Sequence, residues 1–322
     1  MHLAAAMLAL SCAQPPPVIT PGPDRPLDSI LSILDPDAEA VFLARPADLL
    51  ASPLGDHAAA WFRPTPEEAA RGGPPAWFRD LGGASEAVVA LRSEGDEGTA
   101  AIAVRGGEAE AAAVARGFAD GVRARGSRMT DEMVAGVRTV TDGTMSVAAL
   151  ARDVFVIGPR ASVEAACRRA AGDDRDSLAV DPRAAPLAER LDLVAAQVAY
   201  VGRVPAALRP RLRHWGLDPL VDRIIGAQAA ISARSVSVRL VADLDDAEAA
   251  AALAADAAAG IEFTANRMSF QAVGISPLIR LLAPRADGRF FLIEGSLPTE
   301  VVAALIARLR AVAGAAGGTA DR

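Results

Sequence analysis

Few side chains in this 322-residue chain could do chemistry, and their scarcity is informative. There are two cysteines, Cys12 and Cys167, and three histidines, His2, His57 and His214. Zinc sites draw most of their four ligands from Cys and His, so that chemistry lacks donors here. A Ser-His-Asp triad would have to use His57 or His214, and no Gly-x-Ser-x-Gly elbow occurs to present the nucleophile. His214 stands beside Trp215 in the basic run Arg209, Arg211, Arg213, which reads as a solvated helix face. A Gly-x-x-x-x-Gly-Lys phosphate loop is impossible, because all 33 Lys-or-Arg residues are arginine. Carboxylates are many but dispersed. Asp173, Asp174 and Asp176 make a dense cluster in a linker-like stretch, without the central Gly and terminal Glu of a calcium loop. The expectation is therefore no metal, no cofactor and no residue that can be singled out as catalytic.

One local feature could bind rather than react. The tetrapeptide Ala-Trp-Phe-Arg occurs at Ala60–Arg63 and again at Ala76–Arg79, in a chain only 4% aromatic. Trp61, Phe62, Trp77 and Phe78 are candidate contacts for an apolar ligand, such as a lipid or peptide, or for a partner. The stronger reading is packing: large rings fill the space that alanine-rich helices leave in a core.

Cys12 has the most telling surroundings. Leu3–Leu10 is an apolar run, Ala9, Leu10 and Ser11 precede the thiol, and prolines follow it. A bilayer span needs about 20 apolar residues, so Met1–Leu10 is too short to cross. It has instead the length of the apolar region of a secretory signal peptide. The segment Leu8-Ala9-Leu10-Ser11-Cys12 resembles a bacterial lipobox. It departs from that pattern in the order of Ala9 and Leu10, and in lacking Lys or Arg near Met1. The resemblance implies cleavage before Cys12, a diacylglyceryl group on its thiol and an acyl chain on its amine. Two or more acyl chains anchor stably, at about 0.8 kcal/mol per buried methylene. Ala13, in the position after the cysteine, implies sorting to the outer membrane.

Pro15, Pro16, Pro17, Pro21, Pro23 and Pro26 fix φ and remove backbone donors, so the stretch after Cys12 predicts neither helix nor central strand. Such a segment is a semi-rigid spacer of about 3.1 Å per residue. With Cys12 acylated, Cys167 is left alone and no intramolecular disulfide can form. It lies in Ser162-Val-Glu-Ala-Ala-Cys-Arg-Arg, which reads as a helix with the thiol as a small buried contact. The formal net charge of -7 argues against a nucleic-acid binder, which needs a basic face for phosphates.

Behind the spacer, the elements that must position any site occur twice. Ala40-Val-Phe-Leu-Ala-Arg45-Pro and Val198-Ala-Tyr-Val-Gly-Arg203-Val-Pro are each an apolar strand ending in arginine before a proline-marked helical stretch. Strand pairs follow at Glu86–Leu91 with Thr99–Val104, and at Gly226–Ala233 with Ser235–Val241. Ser235-Val-Ser-Val-Arg-Leu alternates as a strand with one buried face should. Helices come next, at Gly107–Arg125 with an apolar stripe of Val114, Phe118 and Val122, and at Asp245–Ala259 with acids at its start. Asp142-Gly143 and Asp287-Gly288 mark tight hairpins. Both halves close on a strand and a helix, Val154–Ile157 into Ser162–Ala171 and Phe290–Ile293 into Thr299–Ala313.

Paired strands with helices between them predict an α+β architecture: two tandem units, each an antiparallel sheet covered by helices on one face. The expected organisation is a signal peptide at 1–11, the lipidated Cys12 and tether at 12–27, α+β units at 28–177 and 178–316, and a tail at 317–322. The expected role is a non-enzymatic binding or structural module of the cell envelope, held to the membrane through Cys12 and meeting an envelope protein or apolar ligand. A carrier or sensor of a lipid or peptide is the alternative. A hydrolase built on dispersed carboxylates is the least favoured.

Overall fold

Twelve strands join into one antiparallel sheet in the computed structural model, which describes residues 30–35, 37–62, 81–94, 97–124, 128–172, 185–204, 209–214, 217–268, 271 and 275–307. The strands of the first half are β1 (Ala40–Ala44), β2 (Glu86–Glu94), β3 (Glu97–Arg105), β4 (Thr130–Val134), β5 (Val137–Thr141), β6 (Met145–Ala149) and β7 (Val154–Pro159). Those of the second are β8 (Val198–Arg203), β9 (Ile224–Ile231), β10 (Ser235–Asp243), β11 (Leu282–Asp287) and β12 (Phe290–Pro298). Their spatial order is β11-β12-β10-β9-β8-β1-β2-β3-β7-β6-β5-β4.

The helices are α1 (Pro46–Ala51), α2 (Gly55–Phe62), α3 (Glu108–Ala124), α4 (Arg160–Ala171), α5 (Ala185–Ala188), α6 (Arg209–His214), α7 (Ala247–Ala265) and α8 (Ser276–Ile279), with a helical segment at 299–307. Local signals explain several ends. Pro46 opens α1, where its missing N–H costs no hydrogen bond. Asp246 caps α7 by accepting from the Ala249 N–H at 2.8 Å. Gly172 closes α4 with φ 85°, the left-handed conformation that a helix end needs. The two expected hairpins form, with Gly143 at φ 94° and Gly288 at φ 57°.

The two strand runs do not make separate sheets. β1 and β8 are each the first strand of their run, and they pair with each other from Ala40↔Gly202 to Ala44↔Val198. The physical reason is that an unpartnered strand edge leaves a row of backbone donors and acceptors open, and two such edges satisfy one another. On either side of this seam the connectivity matches: a hairpin (β2–β3, β9–β10), a long helix (α3, α7), then a return that lays the last strand against the hairpin, β7 on β3 and β12 on β10. The first half extends further, through β6, β5 and β4.

Helices cover both faces of the sheet, where one covered face was expected. Val88, Ala90, Ala103, Val154 and Val156 pack with Ile30, Ile33 and the α4 residues Val163, Ala166 and Cys167. Their neighbours along the strands, Ala87, Val104, Phe155 and Ile157, pack the other way, against Leu49, Ala58, Phe118 and Val122 of α1, α2 and α3. The second half repeats the division. Ile225, Ala242 and Phe291 meet α7 through Ala250, Leu253 and Ala257, whereas Val241, Phe290 and Leu292 meet Leu187 and Leu191. Two buried faces explain the near-continuous apolar runs in β7, Val154-Phe-Val-Ile, which lack the alternation of a half-exposed strand. Each fully buried Val, Leu or Phe contributes about 1.5–3 kcal/mol relative to exposure.

Candidate functional site

The sequence-selected residues fall in different places. Cys12, Trp77, Phe78 and the Asp173–Asp176 cluster lie outside the described residues. Trp61 and Phe62 belong to the last turn of α2, whose backbone is described and whose earlier residue Ala58 packs on the sheet. His214 ends α6. His57 is half-buried on α2. Cys167 is fully buried on α4 with its sulfur 3.7 Å from the Thr139 hydroxyl. Burial raises the Cys167 thiol above its ordinary pKa, more than Thr139 and the nearby Arg168 charge lower it, so the thiolate is disfavoured. That environment suits packing.

Concave space lies elsewhere, at the end of the sheet in the second half. A cleft of about 470 Å³ is lined by Leu187, Arg203, Asp222, Arg223, Ile224, Asp243, Leu244, Asp245 and Arg289. A second, of about 310 Å³, shares Arg223, Leu244 and Asp245 with it and reaches Leu253 and Asp256 of α7. The Arg223–Asp245 pair therefore stands as a partition between them. Its guanidinium donates to both carboxylate oxygens of Asp245, through Nη1 at 2.7 Å and through Nη2. This bidentate bond holds the Asp245 carboxyl below its ordinary range and raises Arg223 in turn. An aspartate so held is ionised and geometrically occupied, which suits a wall better than a proton donor.

Arg289 donates to Asp243 Oδ2 at 2.8 Å. The other oxygen, Asp243 Oδ1, is buried without a hydrogen-bond partner. Arg190 stacks over the Phe290 ring, 3.4 Å from its centroid, just beyond. None of these residues stands out in the sequence, because arginine and aspartate are common throughout. The one signal was positional: Arg203 ends the strand that repeats the Arg45 strand.

A different surface feature sits at the C-terminal end of α7. Phe263 is 65% exposed and Met268 84% exposed, and Arg267 lies over the Phe263 ring at 5.2 Å. Among the described residues no three His, Cys, Asp or Glu side chains converge as a metal site, and no helix is long and apolar enough to cross a membrane.

No family model matches this chain, and no curated protein matches it. Among solved structures it is similar to TP0453 in three crystal forms. Form I matches at 12% identity and TM-score 0.46, covering 91% of this chain and 99% of that one. Form III matches at 12% and 0.49, covering 87% and 98%. Form IV matches at 14% and 0.46, covering 86% and 95%. At these identities and scores the likeness carries no statement about function.

Proposed function

We propose that this protein is an envelope lipoprotein, tethered to a bacterial membrane through acyl chains on Cys12 and serving as a binding or structural module. The outer membrane is the favoured address, from Ala13. The observation that carries the reading is Leu8-Ala9-Leu10-Ser11-Cys12 with six prolines between Pro15 and Pro26 behind it. Acylation supplies the anchor and the proline segment supplies the stand-off. The folded body is read as a duplication, with units at 28–177 and 178–316. The matching connectivity on either side of the β1–β8 seam supports that reading.

The test is metabolic labelling with a fatty-acid analogue. The wild-type chain should take up label and partition with membranes, and Cys12→Ser should lose both. Equal labelling of the two would sink the anchor.

A second reading, an apolar-ligand carrier near the Trp-Phe pairs, has one observation in its favour. On the sheet face that carries α2, Val198 and Ile231 are only partly buried, although they lie in central strands beside the first-half core. A ligand lying along that face would cover them. Quenching of tryptophan fluorescence by a brominated fatty acid tests it, and an unquenched signal would exclude that carrier.

A further inference from the structure

Phe263 and the smaller cleft lie on one face of α7, towards opposite ends of the helix. Phe263 is 65% exposed, with the Arg267 guanidinium over its ring at 5.2 Å. Nearer the N-terminus, exposed Ala252 lines the cleft of about 310 Å³ together with Ala249, Leu253 and Asp256. From Ala252 to Phe263 is close to three helical turns, so the two residues share a face about 16 Å apart. Ala255 and Ala259, also exposed, lie between them on that face.

Charge along this face is sorted by position. Exposed Glu248 stands in the first turn, and Asp256 stands at the cleft. Exposed Arg267 closes the other end. Glu262 is already bridged to Arg280, with Nε 3.5 Å from Oε2. An acidic start and a basic end complement a second such helix only when it runs the opposite way. A two-fold axis crossing α7 midway between Ala257 and Ala258 meets that condition. It sets Phe263 over Ala252 of a second copy and Arg267 against Glu248 of that copy. The symmetry makes each contact twice.

We infer that α7 is a self-association surface, on which a second copy docks antiparallel with its Phe263 ring in the smaller cleft. Pro219, Ala249, Ala252 and Leu253 supply apolar contact there. Of the charged groups that line the cleft, Arg223 and Asp245 hold each other. Asp218 and Asp256 are left to favour the Arg267 that arrives with the ring. A buried aromatic beside an arginine is the usual centre of such a contact. An anionic bilayer is the poorer occupant, because Glu248, Asp256 and Glu262 outnumber Arg267 on this face. One helix face per copy makes a small interface, in the weak class below about 1,200 Å². The contact does not depend on the acyl anchor, although copies anchored to one bilayer would meet at raised effective concentration.

Sedimentation equilibrium of the full chain carrying Cys12→Ser tests it without acyl chains, so failure here leaves the anchor standing. The chain should form a dimer whose share rises with concentration. Phe263→Ser alters an exposed side chain and should weaken the dimer about tenfold or more, with an unchanged melting curve. Glu248→Arg and Arg267→Glu should each weaken it. The two together should recover most of the loss, because every reversed charge again meets its opposite. Co-sedimentation with phosphatidylglycerol vesicles detects the competing occupant. Vesicle binding that Phe263→Ser abolishes, by a chain that stays monomeric, overturns the inference in favour of lipid. A chain monomeric up to about 1 mM, a dimer that Phe263→Ser leaves unchanged, or no recovery in the double variant also overturns it.

Discussion

Adding one methyl group at Gly202 should damage this protein more than most core truncations of similar size. Gly202 faces Ala40 across the seam that joins the two strand runs. A Cβ at position 202 would lie 2.4 Å from both Cα and Cβ of Ala40, and 2.7 Å from the carbonyl oxygen of Glu39. These are backbone atoms or a methyl fixed to backbone, so no rotamer change relieves the clash. The strands must part by about an ångström to restore van der Waals contact. That movement would stretch the adjoining Arg203 N–H to Glu39 O bond, now 3.0 Å, out of hydrogen-bonding range. Overpacking costs about 1–3 kcal/mol and the lost bond about 1 kcal/mol. The reduced freedom of the unfolded chain returns about 0.4–1 kcal/mol. Gly202→Ala should therefore destabilise by about 2–3 kcal/mol.

Gly226→Ala is the matched control. A Cβ there would meet Leu191 Cδ1 at 3.0 Å, the far end of a side chain that can turn away. Its cost should stay below about 1 kcal/mol. Urea unfolding of both variants, followed by far-UV circular dichroism and tryptophan fluorescence, measures the difference. If Gly202→Ala matched Gly226→Ala within about 0.5 kcal/mol, the close approach at the seam would be refuted.

Two further outcomes concern charge and the buried thiol. Glu294 accepts from Arg285 Nε at 3.0 Å and pairs with Arg239 Nε at 2.7 Å, and these partners hold its carboxyl below the ordinary range. A carboxylate depressed by folding stabilises the native state above its unfolded pKa, and that contribution is lost as pH falls through the folded value. Glu294→Gln should thus melt earlier than wild type at neutral pH, by the equivalent of about 0.2–1 kcal/mol for partly exposed pairs. The two melting curves should converge below the carboxylate range, and a gap that widened in acid would reverse the sign. In Cys12→Ser, Cys167 should resist Ellman's reagent in native buffer and react once urea unfolds the chain. Stoichiometric reaction in native buffer would mean that α4 does not seal the thiol.

Much of the element order was legible in sequence because it follows from local chemistry. The alternation in Ser235-Val-Ser-Val-Arg-Leu places β10, which runs Ser235–Asp243. The stripe with Phe118 and Val122 places α3, where both side chains are buried. Asp-Gly pairs place two hairpin turns. Other elements carried weaker marks. β4, Thr130-Asp-Glu-Met-Val, is an edge strand whose polar composition hides it, and its pairing to β5 supplies what its side chains do not. α7 runs six residues beyond the expected Ala259, to Ala265. Gly260 and Thr264 are poor helix formers, and packing of Ala257 and Ala265 overrides them.

What the sequence determined alone is therefore local: the strand and helix order, the repeated opening Ala40–Arg45 and Val198–Arg203, and a proline-rich segment behind Cys12. What only the tertiary structure decided is the union of the two runs into one sheet with both faces covered. Side-chain periodicity says which residues share a face, but it does not say which strand edge pairs with which, since any edge offers the same backbone groups. The charged cleft has the same origin. Arg203, Arg223, Asp243 and Arg289 are distant in the chain and ordinary in type. They meet because the register of β8, β9, β10 and β12 sets their backbone positions side by side.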